Sequence, residues 1–592
     1  MKVKEDIKSI IKNAISKLNI EWYDDIEIKF SAKPDIADFQ FNECFKIAKK
    51  IGVAPFEVGN KIIDIIGENE LFEFSFAMPI YINIKLTDAG FNYYANEMLI
   101  DKNLTVKKHE NVKTIVMDYG GANVAKALHM GHLRSPIIGE ALKRVFMLKG
   151  HKVISDVHLG DFGLQMGLTL AGLEEEGYLD YYYGKNKEKP NITLELLNEI
   201  YPKASARKKE KDFMDKANDY TLKLQKKCSP YYDAYLDMRA VSVKEIMKYY
   251  KLLNVEFDLE YGESDVADII DEVVDIFKDK GLLYESNGAL VCDVAMQGEH
   301  IPIEKKSDDE VQRYKNPMPP IILKKFNGGD LYATTDVATI YDRNKKFNPD
   351  KIVYVVDNRQ KQHFTQVFRA CKKAGISGEN QELVCVHFGT MNGSDGKPFK
   401  TRSGETIKLE DVYGMVVDKA KARLTENGVD DKSDLARQIG VAALKFGDLL
   451  NTVTKDYVCD LDKFSSFEGK TGPYIQYNGA RIRSLLSKSG ISEEELNKEP
   501  ICVQKQKEKD IILAIFKMID SYDICENELS LNSLCLTLYE VATAFASFYN
   551  DINILNEHDT QRKISLLNLC RLTFKALKQG MNVLAIDMPE KM

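Results

Sequence analysis

The 592-residue sequence has no Cys-x-x-Cys pair, no long apolar run and no excess of positive charge. Each absence closes off a class of protein. Its ten cysteines are scattered, which excludes zinc-site spacing and a disulfide framework, so they read as reduced core thiols of a cytoplasmic protein. No apolar stretch approaches the roughly 20 residues that a bilayer demands. The opening Met1-Lys-Val-Lys-Glu-Asp-Ile is charged and then amphipathic, unlike a secretory leader. No membrane partner is expected. With 82 Lys and Arg against 90 Asp and Glu, the net charge is −8. Such a chain is not built to coat nucleic acid indiscriminately, although a specific RNA partner needs only local basic patches. Low-complexity tracts and short repeats are lacking as well.

What is present predicts three or four domains of ordinary size. Residues 1–110 read as a small α+β module: Ile7, Ile10, Ile11, Ala14, Ile15 and Leu18 form one helical stripe, and 26–30 and 80–86 alternate like strands. A helix is predicted over 42–51 and another from Pro55, since a first helical turn accommodates proline. The cluster Asp38-Phe-Gln-Phe-Asn42 reads as a helix cap or a contact surface, and the charged stretch 102–111 as a linker. From 111 to 455 strands and helices alternate, the pattern of a parallel sheet with crossover helices, broken over about 175–250 by a charged helical insertion. From 456 to 592 the pattern is helical.

The chain centres on Asp118-Tyr-Gly-Gly-Ala-Asn-Val-Ala-Lys-Ala-Leu-His-Met-Gly-His-Leu-Arg-Ser135. A buried-strand pattern precedes it over 114–117, and over 136–148 apolar residues recur at helical spacing. Strand, small-residue turn and helix start make an anion site, because unpaired N–H groups and the helix dipole face the ligand. His129 and His132 flank Gly131, with Lys126 just upstream; such donors suit a polyphosphate whose charge grows during reaction. A turn with two polar surface histidines would fit the same residues, but the strand before and the helix after favour nucleotide binding.

Further stretches fall where parallel sheets bind ligands, at the carboxyl edge. One is the glycine-rich end of 153–167. Another is Tyr332 with Asp336, which share a face if a helix begins between them; a core aromatic and a helix N-cap are the plainer readings of each alone. A buried strand over 352–356 leads to Asp357, Gln360 and His363, groups that suit a ribose and a polar substrate. The strand 384–388 leads to a loop whose Lys397, Lys400 and Arg402 suit a leaving pyrophosphate, or else a solvated hairpin. A strand and turn are predicted over 255–264. Near the end Arg562, Lys563, Arg571, Lys575 and Lys578 offer an RNA-docking face, for which a solvated helix face is the plain alternative.

In this order the motifs resemble those of the class I arginyl-tRNA synthetases, over essentially the whole chain. Asn123-Val-Ala-Lys-Ala-Leu-His-Met-Gly-His-Leu-Arg-Ser135 is similar to that family's His-x-Gly-His signature. Asn392-Gly-Ser-Asp-Gly-Lys-Pro-Phe-Lys-Thr-Arg-Ser-Gly-Glu405 is similar to its substitute for Lys-Met-Ser-Lys-Ser, and 471–483 and 580–592 resemble its anticodon-binding domain. The resemblance implies an α/β fold: a Rossmann-like catalytic domain (111–455) between a small N-terminal domain that binds the tRNA elbow (1–110) and an all-α anticodon-binding bundle (456–592). It implies an arginine–tRNA ligase that makes arginyl-adenylate and pyrophosphate from L-arginine and ATP. The arginyl group then passes to the 2′-hydroxyl of the terminal adenosine of tRNA(Arg).

By the same resemblance His129, His132, Lys126, Lys400 and Arg402 serve catalysis. Gly131, Asp357 and Met391 join His129, His132 and Lys400 around ATP. Gly121, Ala122, Asn123, His132, Tyr332, Asp336, Gln360 and Asp118 surround arginine, and Gln40, Asn42, Arg481, Arg562, Arg571 and Lys575 meet tRNA. Mg²⁺ arriving with ATP, no structural metal, a monomer, and tRNA bound before arginine is activated are implied too. Two departures stand out: Gly121-Ala122 replaces a usual Ser-Pro, which removes a hydroxyl contact, and Gly160-Asp-Phe-Gly163 replaces Gly-Asp-Trp-Gly. The competing readings are a nucleotidyltransferase for a small acceptor, a synthetase for another amino acid and a non-catalytic tRNA-binding paralogue. The first has no need of a basic helical domain, the second lacks the Tyr332/Asp336/Gln360 set, and the third would show a damaged histidine turn.

Overall fold

The computed structural model describes residues 1–18, 25–77, 81–296, 299, 318–325, 332–393, 395–397, 407–426 and 433–592. At its centre Thr114–Asp118 carries Ile115, Val116 and Met117, all buried, as a strand covered on both faces requires. It pairs in parallel with Lys152–Asp156 on one side and Lys351–Asp357 on the other, and Glu382–Phe388 extends the sheet beyond the latter. Arg134–Leu148 and Lys361–Ala374 are crossover helices. The chain leaves the central strand toward one edge and later returns to the other. A crevice therefore opens beyond the carboxyl ends of Thr114–Asp118 and Lys351–Asp357. The fold is Rossmann-like, as expected.

The helix after the histidine turn is locked in place. Tyr119 packs so closely on Gly139 that a Cβ there would lie 2.2 Å from its ring. Arg134, 2 % exposed, donates to Asp448 at 2.8 Å and to the Gly389 carbonyl at 2.7 Å. The helices Leu194–Ala206, Lys211–Gln225 and Tyr231–Leu252 lie beside this crevice.

The N-terminal module is an antiparallel sheet in the order Ile28–Phe30, Phe39–Phe41, Tyr81–Leu86, Phe72–Ala77, with helices Lys2–Lys17, Cys44–Ile51, Pro55–Ile66 and Asp88–Ile100. The cluster read as a cap is instead an interior strand: Phe39 and Phe41 are buried, and the Asp38 carboxylate accepts the Leu86 N–H at 2.8 Å. The C-terminal region packs Gly472–Ser489, Gln506–Glu528, Asn532–Asp551 and Thr560–Val583 together. Asn96 and Asn92 tie the N-terminal module to it by bonding the backbone of Ile501 and Val503.

Residues 255–264 differ from the strand expected of them. They meet the sheet only at isolated bridges, Asp156 with Leu259 and Leu159 with Gly262. The Asp258 carboxylate takes the Ser155 N–H and hydroxyl, each at 2.8 Å, so a side chain stands where a ladder would continue. A 3₁₀ turn, Glu263–Ile269, follows. Among the described residues no helix is long and apolar enough to cross a membrane.

Candidate active site

The turn after the central strand is fastened from several sides. Gly120 has φ +80°, a conformation that favours glycine. Its N–H donates to Ser135 Oγ at 2.8 Å, and that hydroxyl donates onward to the Val355 carbonyl at 2.6 Å. Tyr250, from the insertion, donates to the Gly120 carbonyl. Asn123 bridges to Gly160, and its amide oxygen lies 2.5 Å from where a Gly160 Cβ would sit. Gly121 is exposed, but Ala122 is 1 % exposed and its carbonyl accepts the Gly160 N–H, so its role is internal.

The two histidines are set in one tautomer by the backbone. His129 Nδ1 accepts the Gly131 N–H and His132 Nδ1 accepts the His129 N–H, each at 3.1 Å. A neutral imidazole that accepts at Nδ1 carries its proton on Nε2. The rings lie 3.9 Å apart. Burial lowers the pKa of both, that of His132 to about 3, and the nearby charge of Lys126 lowers them further. Both are therefore neutral Nε2–H donors at physiological pH. Segment 407–409 grips the turn from the other side, with Met130 N–H on the Ile407 carbonyl and Leu409 N–H on Leu128.

Across the crevice Tyr332 opens the helix Tyr332–Phe347 and Asp336 follows one turn later, four apart and on one face. Asp336 bonds His363 Nε2 at 2.5 Å; burial opposes the imidazolium there, yet the bond and charge of Asp336 raise the His363 pKa. Glu263 joins this acidic recess. Burial and repulsion by Asp336 push its carboxyl up to about 8; Tyr332 is 55 % exposed, yet partial desolvation of its phenol and then Glu263 raise its pKa. Nothing in the sequence pattern marked Glu263; the adjoining glycine was the only signal.

Asp118 requires correction. It is 6 % exposed, and Arg343 bridges it at 2.7 Å to Asp156 at 2.6 Å. Its carboxylate faces a buried ion cluster rather than a substrate. His158 completes that cluster; burial alone would lower its pKa, but the two aspartates raise it to about 9. These three groups could assemble around a metal ion, but the Arg343 guanidinium already lies between the carboxylates.

On the neighbouring strand end, the Asp357 carboxylate is engaged by the Arg359 N–H and guanidinium, while Gln360 is exposed. Met391 is buried in a short parallel pair with Tyr457–Val458. Lys400 and Arg402 lie outside the described residues.

Three of the proposed RNA contacts are spent inside the protein. Arg562, 8 % exposed, pairs with Glu508 and donates to the Cys502 carbonyl. Lys575 caps the carboxyl end of Asp88–Ile100 by donating to the carbonyls of Met98, Leu99 and Asp101. Arg571 is held by Asn497 and Asn568 at 2.9 Å each. Arg481 differs: it stacks over Tyr477 and Tyr549, at 4.7 and 5.1 Å from the ring centroids, and Tyr477 is 40 % exposed. In the N-terminal module Gln40 donates to Asn83, whereas the Asn42 amide oxygen is buried and unpartnered.

A parallel sheet with paired histidines at its switch point is the plan of a class I aminoacyl-tRNA synthetase, and sequence comparison agrees. Residues 94–461 match the family described as tRNA synthetases class I (R), catalytic domain; residues 475–592 match the DALR anticodon binding domain, and 5–86 the arginyl tRNA synthetase N terminal domain. The chain is 40 % identical over 575 residues to an arginine–tRNA ligase of Alkaliphilus oremlandii, covering 95 % of each chain. It is 38 % identical over 586 residues to that of Agathobacter rectalis, covering 96 % of each. The arginyl-tRNA synthetase structure from Plasmodium falciparum superposes with TM-score 0.80 at 26 % identity, covering 100 % of this chain and 99 % of that one. The chain belongs to the arginyl-tRNA synthetase family.

Proposed function

We propose that this chain ligates L-arginine to tRNA in two steps on the crevice described above. The arginine carboxylate attacks the α-phosphorus of ATP in line, the bond to the bridging oxygen breaks, and pyrophosphate leaves. The 2′-hydroxyl of the tRNA terminal adenosine then displaces AMP from the adenylate. Neither step needs a covalent enzyme intermediate; positioning and charge stabilisation do the work. His129 and His132, as neutral Nε2–H donors, meet phosphate oxygens without giving up a proton. Lys126 adds positive charge from the same turn, Mg²⁺ arrives with ATP, and the family resemblance assigns Lys400 and Arg402 to the leaving pyrophosphate.

The observation that carries the arginine assignment is the grouping of Tyr332 and Asp336 on one helix face, with Glu263 near enough for Asp336 to raise its carboxyl. Two carboxyl groups and a phenol can meet a planar fork of guanidinium donors, which an ammonium does not match. Gln360 closes the mouth, and Asn123 meets the α-amino end. Asp336→Ala should raise the KM for arginine in ATP–pyrophosphate exchange by about 10–100-fold, a charge-assisted pair being worth roughly 1.5–3 kcal/mol. An unchanged arginine KM would overturn the assignment. For tRNA, the Tyr477–Arg481–Tyr549 stack offers unpaired anticodon bases an aromatic and guanidinium platform.

A further inference from the structure

We propose that Asn198 and Tyr201, on one face of the Leu194–Ala206 helix, form a seat that positions Lys126 for the departing pyrophosphate; this rests on the ligase reading above. The histidine turn reaches this helix through two backbone N–H groups that flank the lysine. The Ala127 N–H donates to Asn198 Oδ1 at 2.8 Å, and the Ala125 N–H donates to Ser242 Oγ at 3.0 Å. Ala125 itself has φ +62°, a left-handed conformation that alanine seldom adopts. The insertion thus holds the backbone on both sides of Lys126 in a shape the turn would not take unaided.

The side chain is held differently. Lys126 Nζ stands 4.5 Å from the centroid of the Tyr201 ring; against the opposing effect of burial, its charge and its contact with the hydroxyl lower the Tyr201 phenol. No carboxylate salt bridge to Lys126 occurs among the described residues. Instead, its charge lowers the pKa of His129 and His132, after burial, so it already stands near the phosphate donors. A carboxylate partner would neutralise the lysine and hold it back. A ring face orients the ammonium, leaves its charge intact, and is a weaker partner than a phosphate oxygen. Tyr201 also lies near enough to Tyr332 to raise its phenol, after desolvation and Glu263. Asn198 and Tyr201 are positioning residues: they act through Lys126 and touch no reacting atom.

The test is arginine-dependent ATP–pyrophosphate exchange by the full chain with tRNA present, for wild type, Tyr201→Phe, Tyr201→Leu, Lys126→Gln and the Tyr201→Leu/Lys126→Gln double variant. Phenylalanine keeps the ring face but loses the hydroxyl that Lys126 also meets, and should fall between wild type and leucine. Leucine should lower kcat roughly 10–100-fold with the arginine KM unchanged. In the Lys126→Gln background the leucine substitution should cost little more, because both changes remove the same contribution. A Tyr201→Leu enzyme with wild-type kcat, or losses that simply multiply in the double variant, would overturn the seat. Wild-type exchange with arginine in the same series keeps the parent reading intact whichever way the variants fall. Asn198→Ala gives a second measure: a fall in kcat with unaltered thermal unfolding is expected, and an unaltered kcat counts against the seat.

Discussion

Each histidine of the turn can donate through one nitrogen only, because a backbone N–H occupies the other. Glutamine places an amide donor near the Nε2 position and asparagine near Nδ1. His132→Asn should therefore lose about 10²–10³ in the kcat of exchange, the usual loss of one preorganised donor, while His132→Gln loses distinctly less. Equal losses would contradict the tautomer. Glu263 sets a pH dependence. In the free protein its carboxyl is pushed up to about 8 by burial and by Asp336, so it is mostly protonated at pH 7. A bound guanidinium favours the carboxylate, so arginine binding expels a proton. Arginine affinity should rise with pH up to about 8 and then level off, and Glu263→Gln should flatten the profile. Calorimetry in buffers of different ionisation enthalpy checks the proton release; no release at pH 7 would exclude this role for Glu263.

At the scale of the element, the Arg134–Leu148 helix places the histidines only because Gly139 admits the Tyr119 ring. Gly139→Ala puts a methyl 2.2 Å from that ring, and overpacking of this kind costs about 1–3 kcal/mol. Urea unfolding should show that loss together with weaker exchange; wild-type stability would mean the helix shifts freely. The strand and helix that frame the turn were legible because both are long, apolar and regular: Ile115 to Met117 are buried, and the helix is covered almost all round. That Tyr332 and Asp336 share one helix face was legible for a related reason, their spacing. Arg562 and Lys575 were misread because a charge pattern cannot see a partner such as Glu508, or the end of a helix far away in sequence. Asp118 was misread likewise, since Arg343 comes from another crossover. Glu263 and Tyr201 escaped notice as single residues in irregular or surface-like stretches, brought to the crevice only by the tertiary fold.

At the scale of the molecule, the carboxy-terminal segment joins all the parts around the crevice. Lys445, fully buried, donates to the carbonyls of Leu253, at the end of the insertion, and Ala585, past the last helix, at 2.7 and 2.8 Å. Gln476, one residue before exposed Tyr477, donates to the Asp587 carbonyl, and Arg144 of the histidine-turn helix donates to Asn582. Burial lowers the Lys445 pKa from 10.5 to about 7. Between those values the unfolded chain holds a proton that the native protein does not, so this lysine makes stability rise with pH from about 7 to 10.5. Lys445→Met should lack that increment, seen as a flatter dependence of the denaturation midpoint on pH than in wild type. Parallel curves would mean that Lys445 stays charged in the fold.

The function of the whole chain is tested most directly by ATP–pyrophosphate exchange with arginine, lysine and glutamine, each with and without total tRNA. The acidic recess and the neutral histidine pair predict exchange with arginine alone, and the family resemblance predicts it only when tRNA is present. Exchange with arginine in the absence of tRNA would keep the ligase and remove the coupling. Exchange with lysine or glutamine, or none at all from a folded protein that still binds tRNA, would contradict the assignment.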